Sequence, residues 1–312
     1  MEHLSGVVWS LSRGFSDSLR GTLVLFYLDK SIREKANKKP PKRLSTSGSN
    51  TNTPQRTLKE PEEPTILKRT LQCCALNGGV FWASLLFFEV LLLPFLKMLV
   101  NFSLGDSSSA AQQVWFWMYV ILSSTFSAIW VLPLFLLSKI VNSLWFMDIA
   151  ESAYRHTRGR PQTLRSVSRS IADNLFSLLV QVLFLLQAVL VCIIPSPFGT
   201  LLYFIHMCML YSLYSFEYRW VNAGWELHRR LTYIENNWPY FIGFGLPLAL
   251  LTSLPSSYIV SGCVFSILFP LFIVSGNEAN PIIGIPTDFP LQLFTPVIAM
   301  SNMILNKTIK RK

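Results

Sequence analysis

Residues 79–100 read GVFWASLLFFEVLLLPFLKMLV, an apolar run in which Glu89 and Lys97 are the two charged side chains. An α-helix rises about 1.5 Å per residue, so about 20 such residues match the roughly 30 Å hydrocarbon core of a bilayer. Further apolar runs follow along the chain, at Val114–Ser138, Asn174–Ile194, Thr200–Phe216, Tyr240–Leu254 and Tyr258–Ser275. This succession predicts an all-α, multi-pass helical membrane protein.

The composition agrees with a membrane protein and argues against soluble classes. Hydrophobic residues make up 51% of the chain and charged residues 14%, whereas soluble domains carry about 25% charged residues. The formal net charge of +10 comes from clusters that flank the apolar runs, as cytosolic retention of Lys and Arg would produce. We therefore expect no nucleic-acid partner. The five cysteines are an odd number, so a disulfide framework is not expected.

Two long helices and two helical hairpins are predicted within a membrane domain of residues 71–275. The first long helix covers Gly79–Val100, and the second begins at Val114 and continues past the end of its apolar run. The hairpins turn at Pro195–Gly199 and Pro255–Ser257. Either all four hairpin arms cross the bilayer, or each hairpin enters and leaves on one side as a half-inserted wedge. The sequence leaves both arrangements open.

The remaining residues are assigned to three segments. Residues 1–30 are predicted to form an amphipathic interfacial helix, because Leu4–Phe26 places apolar side chains on one helical stripe; packing against the membrane domain is the alternative. Residues 31–70 are predicted to be a disordered basic cytosolic linker, since they have few apolar side chains to bury. Residues 276–312 form a C-terminal segment with a short hydrophobic stretch, Leu291–Leu305, and a basic tail.

The distribution of Lys and Arg predicts the orientation. These residues are concentrated in the N-terminal region and in residues 148–172 and 217–238, whereas the connections at residues 101–113 and 195–199 carry none. Because basic loops stay on the cytosolic side, the N-terminus is expected to be cytosolic.

Two ionisable residues inside apolar runs are candidates for an intramembrane polar site. Glu89 lies in the middle of the first run and His206 lies in Thr200–Phe216, and such residues are costly in lipid. The alternative is that Glu89 bonds a neighbouring helix and that His206 is a satisfied interior histidine. No catalytic, cofactor-binding or metal-binding residue is assigned, because HExxH, GxSxG, GxGxxG and P-loop motifs are missing from the sequence. The protein is expected not to be an enzyme and to need no cofactor.

Four consecutive residues, Glu217, Tyr218, Arg219 and Trp220, are a candidate boundary or partner site. We expect Glu217 and Arg219 to pair at the membrane boundary, with Tyr218 and Trp220 at the level of the lipid headgroups, where such aromatic residues are enriched. Simple anchoring at the interface is the alternative to recognition of a partner.

Five stretches of the sequence resemble the etoposide-induced 2.4 family. They are LQCCALNGGVFW at Leu71–Trp82, SAIWVLPLFLLSKIVNSLWFMDIA at Ser127–Ala150, YSLYSFEYRW at Tyr211–Trp220, NWPYFIGFGLPLAL at Asn237–Leu250 and SSYIVSGCVFSILFPLFIVSGNEA at Ser256–Ala279. Members are endoplasmic-reticulum membrane proteins linked to autophagy, growth suppression and apoptosis. The family is similar in plan to the bacterial sulfate permease CysZ, whose two long spanning helices and half-inserted hairpins suit the wedge arrangement.

The resemblance implies a function that the residues alone do not. It implies a multi-pass protein of the endoplasmic reticulum that acts in autophagosome formation or maturation, and in growth suppression or apoptosis, by scaffolding or membrane remodelling. Its partners would be membrane lipids and autophagy- and apoptosis-regulating proteins, and a homo-oligomer is left open. The alternative is a CysZ-like sulfate transporter or channel, although no specific anion-binding residue can be matched between CysZ and this chain.

Overall fold

The computed structural model describes residues 2–38, 66–105, 109–159, 167–281 and 290–309. All regular secondary structure in these ranges is helical, as predicted. The helices are α1 (Glu2–Lys38), α2 (Ile66–Leu104), α3 (Ser109–Thr157), α4 (Val167–Val191), α5 (Phe198–Asn222), α6 (Leu227–Asn236), α7 (Trp238–Ser253), α8 (Tyr258–Glu278) and α9 (Thr295–Ile309). Four of them, α2, α3, α5 and α8, are long and apolar enough to cross a membrane, which confirms the multi-pass class.

The two long helices, α2 and α3, run antiparallel and in contact. Phe88 stacks on Phe126 with ring centroids 3.9 Å apart, and the ion pair between Arg69 and Asp148, 3.1 Å, lies nearer the other end. With 39 and 49 residues, the helices are about 58 and 73 Å long, far more than a hydrocarbon core of about 30 Å. The helix α2 begins well before the apolar run Gly79–Val100, and α3 continues well past the end of its run at Ser138. Each contains π-helical turns, at Ala75–Trp82, Phe87–Leu92 and Ser127–Val131.

The two hairpins, α4–α5 and α7–α8, pack against one half of the α2–α3 pair. We call that half the arginine end, because Arg158, Arg219 and Arg230 lie there. Gly245 of α7 meets the backbone of Cys208 on α5, and a Cβ at this glycine would overlap the Cys208 carbonyl. Such close approach of backbones through small residues is typical of helices in membranes.

The α7–α8 hairpin reaches only part of the way along α2 and α3. Near its turn, Cys263 packs against Phe81 and Val131. From this level α2 continues to Leu104 and α3 extends back to Ser109, in each case about 30 Å farther. With 16 residues, α7 itself rises about 24 Å, less than the thickness of the core. For the α7–α8 hairpin, this geometry favours the wedge arrangement.

The N-terminal helix α1 packs on α7 and α8 through its small and polar face. A Cβ at Gly14 or at Gly21 would overlap a backbone oxygen of α7 or α8, respectively. Between these glycines, Ser275 of α8 donates a hydrogen bond to the carbonyl of Ser18 at 2.6 Å and accepts one from the Gly21 amide at 2.7 Å. The helix therefore belongs to the membrane domain, as one of the two sequence alternatives proposed.

The apolar stripe of α1 faces outward instead of covering this contact. Its exposed large side chains include Leu4, Val8, Trp9, Phe15, Leu19 and Leu23. The contact with α7 and α8 needs glycines, which leaves the large apolar side chains on the opposite face. That face is exposed in the structure, and the interfacial position of residues 1–30 stays a prediction.

The boundaries of the predicted linker differ from those in the structure. α1 continues to Lys38 and α2 begins at Ile66, so both ends of residues 31–70 are helical. The middle of the linker, residues 39–65, lies outside the described residues, and so do residues 310–312 of the basic tail.

The C-terminal segment docks on α4 and α6. The Glu235 carboxylate accepts hydrogen bonds from the backbone amides of Phe294, 2.7 Å, and Thr295, 3.1 Å, and so satisfies donors that have no partner within the first turn of α9. Phe294 stacks on Phe184 of α4 with ring centroids 4.2 Å apart. The predicted stretch Leu291–Leu305 is therefore helical from Thr295 onward, and its start is fixed to α4 and α6.

Gly245→Ala should destabilise the protein by about 1–3 kcal/mol, because the added methyl group overlaps the Cys208 backbone and forces α5 and α7 apart. Gly79→Ala is the matched control, since nothing lies within 4 Å of a Cβ at that position, and it should leave stability unchanged or slightly higher. Thermal unfolding of the detergent-solubilised protein measures both changes. Equal unfolding temperatures for the two variants would contradict the close contact.

Candidate functional site

A buried pair of amides joins α2 to α3. Asn77 Nδ2 donates to Asn142 Oδ1 at 3.1 Å, and Asn142 Nδ2 donates to Asn77 Oδ1 at 3.1 Å. Ser138 Oγ adds a longer bond to Asn77 Oδ1, 3.4 Å, and both asparagines are almost fully buried. Sequence reasoning missed this pair, although an asparagine within each of two apolar helices was a signal that the sequence offered.

Two arginines bind the carboxyl end of α8. Arg219 donates to the carbonyls of Gly276, 3.1 Å, and Ala279, and Arg158 Nε donates to the carbonyl of Asn277 at 3.2 Å. The last carbonyls of a helix have no partner within the helix and carry partial negative charge. The guanidinium groups satisfy these carbonyls and fix α8 to α5 and α3.

Glu217 is bonded to α4 and to Arg230. Its carboxylate accepts hydrogen bonds from Ser177 Oγ and from Gln181 Nε2, the latter at 2.6 Å, and Arg230 Nη1 lies 3.6 Å away. The expected pairing of Glu217 with Arg219 is therefore wrong. Residues two apart point to different sides of a helix, so Glu217 faces α4 while Arg219 faces the end of α8.

The two aromatic members of the candidate boundary site are packed inside the protein. Trp220 is 3% exposed and stacks on Trp225 with ring centroids 5.7 Å apart. Tyr233 meets Trp220 edge-on at 6.0 Å, and burial raises the pKa of the Tyr233 phenol above its usual value. Tyr218 is half-buried and faces Phe269. The four residues thus hold helices together and do not form one exposed surface.

The two candidates for an intramembrane polar site do not meet. His206 is 3% exposed; its Nδ1 lies 2.7 Å from the carbonyl of Leu202 and its Nε2 lies 3.1 Å from Gln187 Nε2. This is the satisfied interior histidine of the sequence alternatives. Glu89 is exposed on α2, and among the described residues it has no hydrogen-bond or ion-pair partner.

Two further features of the described ranges concern a metal centre and an anion path. Within them, no group of three or more His, Cys, Asp or Glu side chains could hold a metal ion. A groove of about 550 Å³ lies on α3, lined by Gln113, Val114, Trp117, Met118, Ile121 and Leu122. All six residues belong to one helix and none is charged, so this groove is not a path for an anion between helices.

Comparison with known proteins gives the family. A model described as sulfate transporter CysZ/etoposide-induced protein 2.4 matches residues 54–261, well over half of the chain. The chain belongs to this family. The match includes Asn77, Asn142 and Glu217, so the sites described above lie largely within the part of the chain that defines a CysZ/etoposide-induced 2.4 family member.

Relatives extend the match over nearly the whole chain. Ectopic P granules protein 4 of Caenorhabditis elegans is 29% identical over 306 residues, which cover 95% of this chain and 90% of that protein. Protein EI24 homolog of Arabidopsis thaliana is 31% identical over 251 residues, with 71% of this chain and 78% of that protein covered. Protein EI24 homolog of Dictyostelium discoideum is 28% identical over 250 residues, 78% and 76% of the two chains. No solved structure matches this family member.

Asn142→Leu should lower the free energy of unfolding by about 1–2 kcal/mol, because the Asn77 amide then loses both of its hydrogen bonds to Asn142 in apolar surroundings. The double variant Asn77→Leu/Asn142→Leu should cost less than the sum of the two single variants, since it leaves neither amide without its partner. Thermal unfolding of the four proteins completes the cycle. Strictly additive losses would show that the two amides are not coupled.

Arg230→Met should destabilise the protein by about 2–4 kcal/mol, because the largely buried Glu217 carboxylate loses the cation beside it. The neighbouring Arg229 is the matched control. It is exposed and lies over the ring of Trp225, 4.1 Å from its centroid, so Arg229→Met should cost about 1 kcal/mol or less. Unfolding temperatures in the same detergent measure the difference, and a larger loss for Arg229→Met would refute the assignment.

Proposed function

We propose that this family member is a protein of the endoplasmic-reticulum membrane, with a cytosolic N-terminus, that acts in autophagy as a scaffold and membrane-shaping body. Family membership supports this role, and the name of the C. elegans relative, Ectopic P granules protein 4, hints at autophagy. The observation that carries the mechanism is the unequal extent of the helices. Both hairpins and α1 surround one half of the α2–α3 pair, and the other half stands bare.

The shape provides a way to bend a membrane. In the 18-residue apolar stretches of α2 and α3, only 11% and 6% of the residues are buried. At the arginine end, by contrast, α5 and α7 are packed on several sides. Basic residues favour the cytosolic side, so the broad half would occupy the cytosolic leaflet. A body that is broad in one leaflet and narrow in the other displaces lipid unequally, and amphipathic insertion of this kind is sensitive to curvature.

The candidate boundary site would support this function by holding the hairpins in place. It consists of Glu217, Tyr218, Arg219 and Trp220. Their side chains bond and stack on other helices of the same chain, which leaves little of them for another protein. Regulators of autophagy, growth and apoptosis would instead bind exposed cytosolic segments of the scaffold.

A sulfate transporter or channel is the alternative, and the description of the matching family supports it. The packing supports it less, because polar groups suited to hold an anion are bound by the chain itself. Arg219 is bonded to carbonyls of α8, and His206 is bonded to Gln187 and to its own helix.

Deletion of the gene should block autophagic flux in cells, and the full-length protein should restore it. The same protein, purified and reconstituted, should give no saturable sulfate uptake and should be enriched in small over large vesicles, because its broad half fits a curved leaflet. Turnover of autophagosome markers, tracer uptake and vesicle sorting are the three measurements. Saturable uptake together with normal flux after deletion would replace this proposal with the transporter.

Arg219→Ala separates a structural role from recognition of a partner in the same cells. Because Arg219 fixes the end of α8, the variant should lower the amount of folded protein and the flux together. Arg229→Ala, which changes an exposed arginine, should restore flux fully. Lost flux at an unchanged level of folded Arg219→Ala protein would indicate that Arg219 contacts a partner.

A further inference from the structure

Glu89 is placed where a carboxylate is costly. It lies midway along the apolar run Gly79–Val100, and its neighbours Phe87 and Val90 are 58% and 62% exposed. Its own side chain is exposed too, with no hydrogen-bond or ion-pair partner in the described part of the chain. Charged residues within membrane spans almost always face a protein interior or pair with another group. A partner for Glu89 is therefore to be sought beyond the described part of the chain.

A band of exposed hydroxyl groups lies at the depth of Glu89. The stacking of Phe88 on Phe126, at 3.9 Å and with rings 3° from parallel, places the adjoining residues of α2 and α3 at one level. Next to Phe126, the side chains of Ser124, Thr125 and Ser127 are exposed. A hydroxyl donates one hydrogen bond and an ionised carboxylate only accepts, so the band and Glu89 are complementary.

The membrane itself aligns these groups between copies of the chain. Copies inserted in one orientation differ by a rotation about the membrane normal, and such a rotation leaves the depth of every residue unchanged. The hydroxyl band of one copy is thus level with Glu89 of its neighbour. The tip of the α7–α8 hairpin packs on another side of α2 and α3, where Ile259 and Cys263 join Phe81, Leu85 and Phe126 in one cluster. Glu89 and the hydroxyl band stay exposed beside this contact.

We propose that the bare half of α2 and α3 is the surface through which the protein associates with a second copy of itself, with Glu89 of one copy accepting hydrogen bonds from Ser124, Thr125 or Ser127 of the other. The small side chains of the band, with Ala128 beside it, allow two helices to approach closely. This proposal does not depend on the role in autophagy, because it rests on depth and hydrogen bonding alone.

Cross-linking in a bilayer tests the alignment. The five free cysteines are first replaced with alanine or serine, and the replacement protein is checked for unchanged size and thermal unfolding. Two differently tagged copies, one with Glu89→Cys and one with Thr125→Cys, should then form a mixed disulfide when co-reconstituted and oxidised. Glu89→Cys paired with Phe102→Cys is the control, because Phe102 is 88% exposed but about 20 Å farther along α2. It should give no mixed product.

Substitution of Glu89 tests the energetics. Glu89→Leu should weaken self-association in liposomes by about three- to twentyfold, the range found for hydrogen bonds between membrane helices. Glu89→Gln keeps an acceptor and should lose less, and Val90→Leu, which changes an exposed neighbour, should change nothing. Energy transfer between labelled copies over a series of protein-to-lipid ratios measures each dissociation constant, and thermal unfolding confirms that each variant folds.

Three outcomes would overturn the proposal. The first is a protein that stays monomeric at every density, which would assign Glu89 to lipid or to a different protein. The second is Glu89→Leu protein that associates as strongly as the unchanged protein, and the third is a control cysteine pair that cross-links as well as the depth-matched pair. A disulfide limited to the depth-matched pair, together with weaker association of Glu89→Leu, supports it.

Discussion

Lipid offers no hydrogen bonds, so the polar groups of this membrane domain must find their partners within protein. Arg219 and Arg158 bind the open carbonyls of α8, Asn77 and Asn142 bind each other, and Gln187 satisfies His206. These bonds all connect different helices. Of the two intramembrane polar candidates in the sequence, His206 therefore helps to hold helices together, and Glu89 is the exception for which a second molecule is proposed.

The same constraint explains how a charged helix such as α1 joins a membrane domain. Association of helices in lipid has no hydrophobic drive of its own, so close packing and polar contacts provide it. Gly14 and Gly21 bring α1 onto the backbones of α7 and α8. Asp17, 1% exposed, receives a hydrogen bond from the Tyr240 hydroxyl at 2.9 Å and an ion pair from Arg20 at 3.2 Å. The charge of Asp17 is thus compensated within the protein, and the large apolar side chains of α1 remain available to contact lipid.

The sequence predicts those features that depend on local pattern and fails where distant residues meet. Apolar runs and proline turns are local features, so the sequence predicts the membrane-protein class, the two long helices and both hairpins directly. The partner of Glu217 could not, because Arg219 is near in sequence but faces elsewhere, whereas Arg230 returns to it only after the α5–α6 turn. The Asn77–Asn142 pair spans 65 positions. The distance that the α7–α8 hairpin reaches along α2 and α3 also depends on contacts between residues far apart in the sequence.

The docking of α1 constrains the order in which the helices can assemble during synthesis of the chain. Ser18 of α1 bonds to Ser275 of α8, 257 residues later in the chain. At about 5–20 residues per second, a ribosome needs about 13–50 s to make that interval. Until α7 is made, α1 lacks the backbone surface that Gly14 contacts, and its exposed leucines and phenylalanine must rest on the membrane or on a chaperone. A nascent chain halted before α7 would leave α1 undocked from this hairpin, and one halted before α8 would leave it without the bonds to Ser275.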